Sequence, residues 1–480
     1  MSSTPSKTTK ALSAVVIVAA CALLAWQLVS NGKNGAWLMG DFRAFYCGGT
    51  AVLHGVSPYA ATPMLHCELA PQPFGLHTTR PGVDLPAPFP GYVLSVFVPL
   101  ALLPYPLAAA FWFVLLLVAT AAACNYLAQL CRRPAIIPFT LLAFALAVAV
   151  IPYGELAPFI IAALAAGSLV LRRGFSWPVI GALAVTALLP HVALPVFLTV
   201  FIYVRAARLP IVMLALFLVA LDLTVGGTSL AISYFTRVLP NHAASEIGYI
   251  MQYSTAWFAQ ALGASDRLAL LCGDISYGLM IVAGIWLSGQ LAQKFRNPAF
   301  LLLIPPAFAV IGGPFVHYSE ITLAFPASLL LYFQSSGKIR GSVAVAIVLI
   351  AFPWEFILMQ PLLAVPMIAG TAAIATIVLS APLRVTLRVG FGAALFCAAL
   401  MALAVVYGPQ IVTHAGGTLD PSLAEASWAR FISEKTSSAG IVWWVGKAPT
   451  WIGLVLFAVS AALAVRGAKD LSLRGAPQRA

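Results

Sequence analysis

The chain has 480 residues, of which 61% are hydrophobic and only 8% charged, and its mean hydropathy is +0.97. So little charge cannot cover a soluble globule of this length, which leaves an all-α polytopic membrane protein whose helices satisfy their own backbone polar groups. The net charge of +12 is not a nucleic-acid footprint, because the basic residues fall in short clusters between apolar runs.

The first apolar run, residues 11–29, follows Lys7 and Lys10 and lacks a clear small-x-small cleavage site, so it reads as a retained first span. Arg132-Arg133, Arg172-Arg173, Arg205 and Arg208, Lys294 and Arg296, Lys338 and Arg340, and Arg384 and Arg388 then mark cytoplasmic turns under the positive-inside rule. With residues 1–10 inside, about fourteen spans can be threaded at the length a bilayer requires. They begin near residues 11, 107, 134, 155, 176, 191, 209, 267, 299, 319, 341, 362, 386 and 450. Residues 92–103, bounded by Pro90 and Pro104, fit a juxtamembrane helix at the outer interface. Residues 177–204 are too long for one crossing and too short for two, so Pro190-His191 is expected at the turn of a hairpin reaching the outer face.

On this topology only Asp470, of 14 acidic residues, is cytoplasmic, with residues 467–480 as the second inner tail. Acidic residues contribute little to orientation, so their segregation points to a working face outside. Three outer segments can build a site there: residues 31–106, including the juxtamembrane stretch, 226–266 and 409–449. The whole chain reads as one membrane domain.

Asp41 lies where the chain leaves the first span. A carboxylate at that level can act as general base toward a lipid-borne substrate; it can equally cap an interfacial helix beginning at Phe42. A lipid-borne substrate that carries a phosphate as its leaving group needs cations or hydrogen-bond donors to receive it. Arg43, Arg80, Arg237, Arg267, Arg430, Lys435, Lys447, His191 and His317 are available, and the two histidines sit at helix breaks, where irregular backbone lines cavities. Glu155 and Glu320, at outer helix ends, can bond sugar hydroxyls or meet water. Tyr46 can stack on a sugar or belong to an interfacial belt. Asp274, two turns into its span, is either functional or paired with a neighbouring helix. Cys47 and Cys67 share the first outer loop and are either a disulfide bracing it or two free thiols. No spacing of Cys, His or acidic residues suggests a metal site, and no cofactor motif is present.

The string Asp41-Phe42-x-x-Phe45-Tyr46-x-x-Gly49-x-Ala51-x-x-x-Gly55-x-x-Pro58-Tyr59 resembles the opening motif of glycosyltransferase family 87. The resemblance continues through residues 86–90, residues 99–104, Tyr153-Gly154-Glu155, Gln252-x-Ser254 and Gly313-Pro314-x-x-His317-x-x-Glu320, covering roughly residues 11–335. It implies a GT-C type fold, with about 12–14 transmembrane or re-entrant helices, in a bacterial inner membrane. The implied donor is a polyprenyl-phosphate-linked hexose such as mannose, the acceptor a lipid-linked or surface glycan, and the site faces the periplasm. It also strengthens Asp41 as base and adds Gln252 as a substrate contact. The alternative class is a lipid or solute transporter, for which polar breaks near the midplane and paired repeats are expected; here polar residues crowd one face instead.

Overall fold

The computed structural model describes residues 7–33, 39–70, 84–407, 419–435 and 440–466. Both expected inner tails, except residues 7–10, and parts of the first and third outer segments lie outside the described residues. Among those described, all regular elements are helical, and only isolated bridges, Ala60 with Leu423 and Gln252 with His317, are strand-like.

Each expected apolar run carries a helix. Six are long and apolar enough to span a membrane: Tyr105–Cys131, Arg205–Glu246, Asp266–Lys294, Pro361–Val378, Leu383–Tyr407 and Ile441–Arg466. Among the described residues the chain is therefore an all-α membrane protein with six helices of spanning length. Other apolar helices, such as Ala157–Leu171 and Phe300–Gly312, are shorter. Proline and glycine set several of their limits: Pro190 opens Pro190–Tyr203, and Gly313 closes Phe300–Gly312. Glycines also let helices approach closely, as small residues do in membranes. A Cβ on Gly453 would stand 2.6 Å from Ile350, and one on Gly284 would stand 2.8 Å from Phe308.

The stretch 92–103 forms two short helices, Gly91–Ser95 and Val98–Ala101, capped by Pro90 and Phe97. Residues 177–203 form Trp177–Thr186 and Pro190–Tyr203, a hairpin with His191 at its turn.

Hydrogen bonds and one disulfide fix the first outer segment. Helix Gly40–Leu53 starts against the loop 152–153: the N–H of Met39 donates to the Pro152 carbonyl (2.7 Å), and those of Asp41 and Phe42 donate to Tyr153 (3.0 and 3.2 Å). Cys47 and Cys67 form a disulfide joining this helix to Ala61–Glu68. Glu68 then accepts the Leu85 N–H (3.0 Å), and the Tyr59 hydroxyl donates to the Phe89 carbonyl (2.8 Å). Residues 85–90 are thereby held as a strap beside helix Gly40–Leu53.

Candidate functional site

A cavity of about 1040 Å³ opens beside the first turn of helix Gly40–Leu53. All three outer segments contribute to its wall: Asp41, Phe45 and the strap from the first, His242, Glu246 and Tyr249 from the second, and Trp428 and Trp443 from the third. Glu155, His191, His317 and Glu320 complete its polar end. Leu194, Phe197, Leu218 and Val219, from Pro190–Tyr203 and Arg208–Ser233, form an apolar branch.

Asp41 is in the first turn of its helix and is not the cap. Met39 holds the N-cap position, in the left-handed region, and makes no side-chain bond there. The Asp41 carboxyl instead hydrogen-bonds that of Glu155, which also accepts from the Ser319 hydroxyl (2.8 Å). Burial, and then the charge of Glu155, raise Asp41 well above the usual carboxylate range. Glu155 is raised too, chiefly by burial, against the opposing pull of His317 and Ser319. Two adjoining carboxyls in such a place oppose each other's ionisation.

Two imidazole–carboxylate couples face this pair. His191 Nε2 lies 2.7 Å from Glu320 Oε1, and His317 Nε2 lies 3.1 Å from Glu246 Oε2. Burial alone would lower His317, but Glu246, Glu320 and Glu155 outweigh it and lift the imidazole to about 9. Burial likewise works to raise Glu320, and His191 and His317 override it, holding that carboxyl below its ordinary value. Glu320 also accepts the His317 N–H (3.1 Å) in a capping box at the start of Tyr318–Ile321.

Gln252 stands behind the wall. Its Oε1 accepts the Val316 N–H (2.7 Å) and its Nε2 donates to Glu246 (3.1 Å), so it positions the His317–Glu246 couple and is not itself part of the lining. Arg43 and Tyr46 are corrections to the expected substrate contacts. The fully buried Arg43 guanidinium donates to the carbonyls of Cys67 (2.8 Å) and Glu68 (3.1 Å) and lies 4.0 Å from the Tyr105 ring centre. Tyr46 donates to the Leu103 carbonyl (2.9 Å). Both brace the first outer segment away from the cavity.

The other expected cations are also elsewhere. Arg237 pairs with Asp420; the buried Lys447 donates to the Gln252 carbonyl and sits over the Trp257 ring. Arg80 and the side chain of Lys435 lie outside the described residues. Among the described residues that line the cavity there is no lysine or arginine. Asp274 is exposed on Asp266–Lys294 and is not in the wall. No cluster of three or more His, Cys, Asp or Glu suited to a metal occurs among the described residues.

Sequence reasoning passed over His242, Glu246 and Asp222, all in the wall. His242 and Glu246 are four residues apart on helix Leu239–Glu246, a spacing that puts both on one face. Asp222 is the one acid in the apolar run from residue 209 to residue 225, a signal that could have been read.

Fold and site together define an all-α membrane protein with an acid–histidine cavity joined to an apolar branch. No known protein family, curated protein or solved structure matches the chain.

Proposed function

We propose that this chain is a GT-C type glycosyltransferase of a bacterial inner membrane, with its cavity facing outward. It takes a hexose, such as mannose, from a polyprenyl-phosphate donor and places it on a lipid-linked or surface glycan. The observation that carries the reading is the Asp41–Glu155 carboxyl pair, which shares one cavity with an apolar branch bordered by membrane helices. The resemblance of the Asp41 motif to glycosyltransferase family 87 supports it.

In a single displacement the acceptor oxygen attacks the anomeric carbon while the bond from that carbon to the phosphate oxygen breaks. The electron pair leaves with polyprenyl phosphate, and the acceptor's proton passes to Asp41. General-base assistance of this kind is worth about 10²–10⁴-fold. His317, held protonated by its carboxylate neighbours, and the His191 ring beside it in the wall are the hydrogen-bonding groups available to the leaving phosphate. The cavity is at the upper end of the size range of ligand pockets, which suits two substrates better than one.

Transfer of label from radiolabelled polyprenyl-phosphate sugars into membrane lipids tests the proposal. Wild type moves label from one of these donors, and Asp41→Asn at equal expression falls by about 100-fold or more. Equal transfer by the two proteins would remove Asp41 as base. Movement of a labelled lipid across the bilayer without sugar transfer would favour the transporter reading.

A further inference from the structure

Asp222 is 9% exposed although it lies on a helix whose neighbouring Val219 and Leu223 are 56% and 40% exposed. All three line the cavity, so the acid is set into an otherwise apolar stretch of its wall, on a helix of spanning length. The surrounding backbone is shaped around it. Asp222 Oδ1 accepts the Tyr92 N–H (3.1 Å), and a Cβ on Gly91 would stand 3.0 Å from the same oxygen. Tyr92 is anchored in turn by donation to the Ala187 carbonyl (3.0 Å). Five residues on, Gly227 takes a non-helical conformation (φ 69°), so regular helix ends just past the acid.

The surroundings of Asp222 differ in kind from those of Asp41. The neighbours of Asp222 in the wall include Tyr92, whose N–H it accepts, and Tyr234. At the other end His191 pairs with Glu320, and His317 with Glu246. Tyr92 and Tyr234 line the cavity, together with Phe89 and Phe235. A carboxylate among aromatic faces accepts hydrogen bonds from hydroxyls while the rings cover apolar ring faces. It repels a phosphate, and no lysine or arginine of the described lining offsets that repulsion.

We propose that Asp222, with Tyr92 and Tyr234, forms a second subsite that binds the hydroxyls of an uncharged sugar headgroup, that of a lipid-borne acceptor whose tail lies along Leu194, Phe197 and Val219. The proposal rests on the glycosyltransferase reading for the word acceptor, but the binding site itself does not depend on Asp41. The phosphorylated donor then occupies the histidine end, and the two substrates meet at Asp41.

The test uses the full chain in nanodiscs, with octyl hexosides and octyl phosphate as probes and empty nanodiscs as the blank. Asp222→Asn keeps the size of the side chain and the oxygen that accepts from Tyr92, but removes the charge. Octyl hexoside affinity should fall about tenfold in Asp222→Asn, the scale of one charge-assisted hydrogen bond. It should fall further in Asp222→Leu, while octyl phosphate binds either variant at least as well as wild type. Equal hexoside binding by wild type and Asp222→Asn overturns the subsite, as does absence of hexoside binding to wild type. A parallel loss of octyl phosphate would overturn the division between donor and acceptor. Sugar transfer that survives Asp41→Asn would defeat the catalytic reading while leaving an Asp222-dependent difference in hexoside binding intact, so the two failures are distinguishable.

Discussion

Asp41 and Glu155 meet closely enough that ionising one opposes ionising the other. The sign of the resulting pH dependence follows. A base must be unprotonated, and the Asp41 carboxyl is raised, so transfer should fall away on the acid side at a pH above the usual carboxylate range. Glu155→Gln removes the second-largest cause of that shift, and the acid limb of the rate profile should move to lower pH. An acid limb unmoved in Glu155→Gln would show that the pair does not control the base. The same helix explains which residues sequence reading placed well. At 3.6 residues per turn, Ala44 and Phe45 lie on the Asp41 face and enter the cavity wall with it. Arg43 and Tyr46 are rotated well away from that face and meet the first outer segment instead. Asp41, Glu155, His191, His317 and Glu320 were legible because each is polar at a break in an apolar run. Arg43, only two residues from Asp41, is about 200° round the helix from it, so closeness in sequence does not bring it to the cavity.

At the scale of elements, the site depends on the turn between the apolar segments Ile136–Val150 and Ala157–Leu171. Gly154 in that turn has φ +84°, and a Cβ there would stand 2.6 Å from Phe42 Cβ. Its carbonyl also accepts the Trp112 indole N–H (2.9 Å). Gly55 has a similar φ, +67°, but nothing lies within 4 Å of its Cβ position. Gly55→Ala should therefore cost only the left-handed strain of about 1–2 kcal/mol, with transfer retained. Gly154→Ala adds a backbone-to-helix collision that pushes Asp41 off Glu155, so thermal unfolding should come earlier and transfer should drop. Equal melting temperatures for the two variants would contradict this coupling. The sequence located the helices and the Pro190 hairpin through hydropathy and proline, both local signals. It did not fix how many helices reach spanning length, because Gly and Pro shorten several of them and packing decides where the shortened ends lie.

For the whole molecule, the basic clusters predict the orientation that the proposed function requires. Ser57 and Ser336 are both exposed, one in the first outer segment and the other beside Lys338 and Arg340. A membrane-impermeant maleimide should label Ser57→Cys in intact cells and Ser336→Cys only after permeabilisation; the reverse pattern would place the cavity in the cytoplasm. With the first segment outside, the Cys47–Cys67 bond bears on the order of biogenesis. Trp443, on the cavity wall, follows Cys67 by about 380 residues, roughly 20–80 s of further translation at typical rates. The loop bearing Asp41 can be oxidised into its final shape while most of the cavity is still unmade. Later helices then insert beside a covalently closed template, and an oxidoreductase defect during secretion would be felt as a failure of assembly before any catalytic step could be measured.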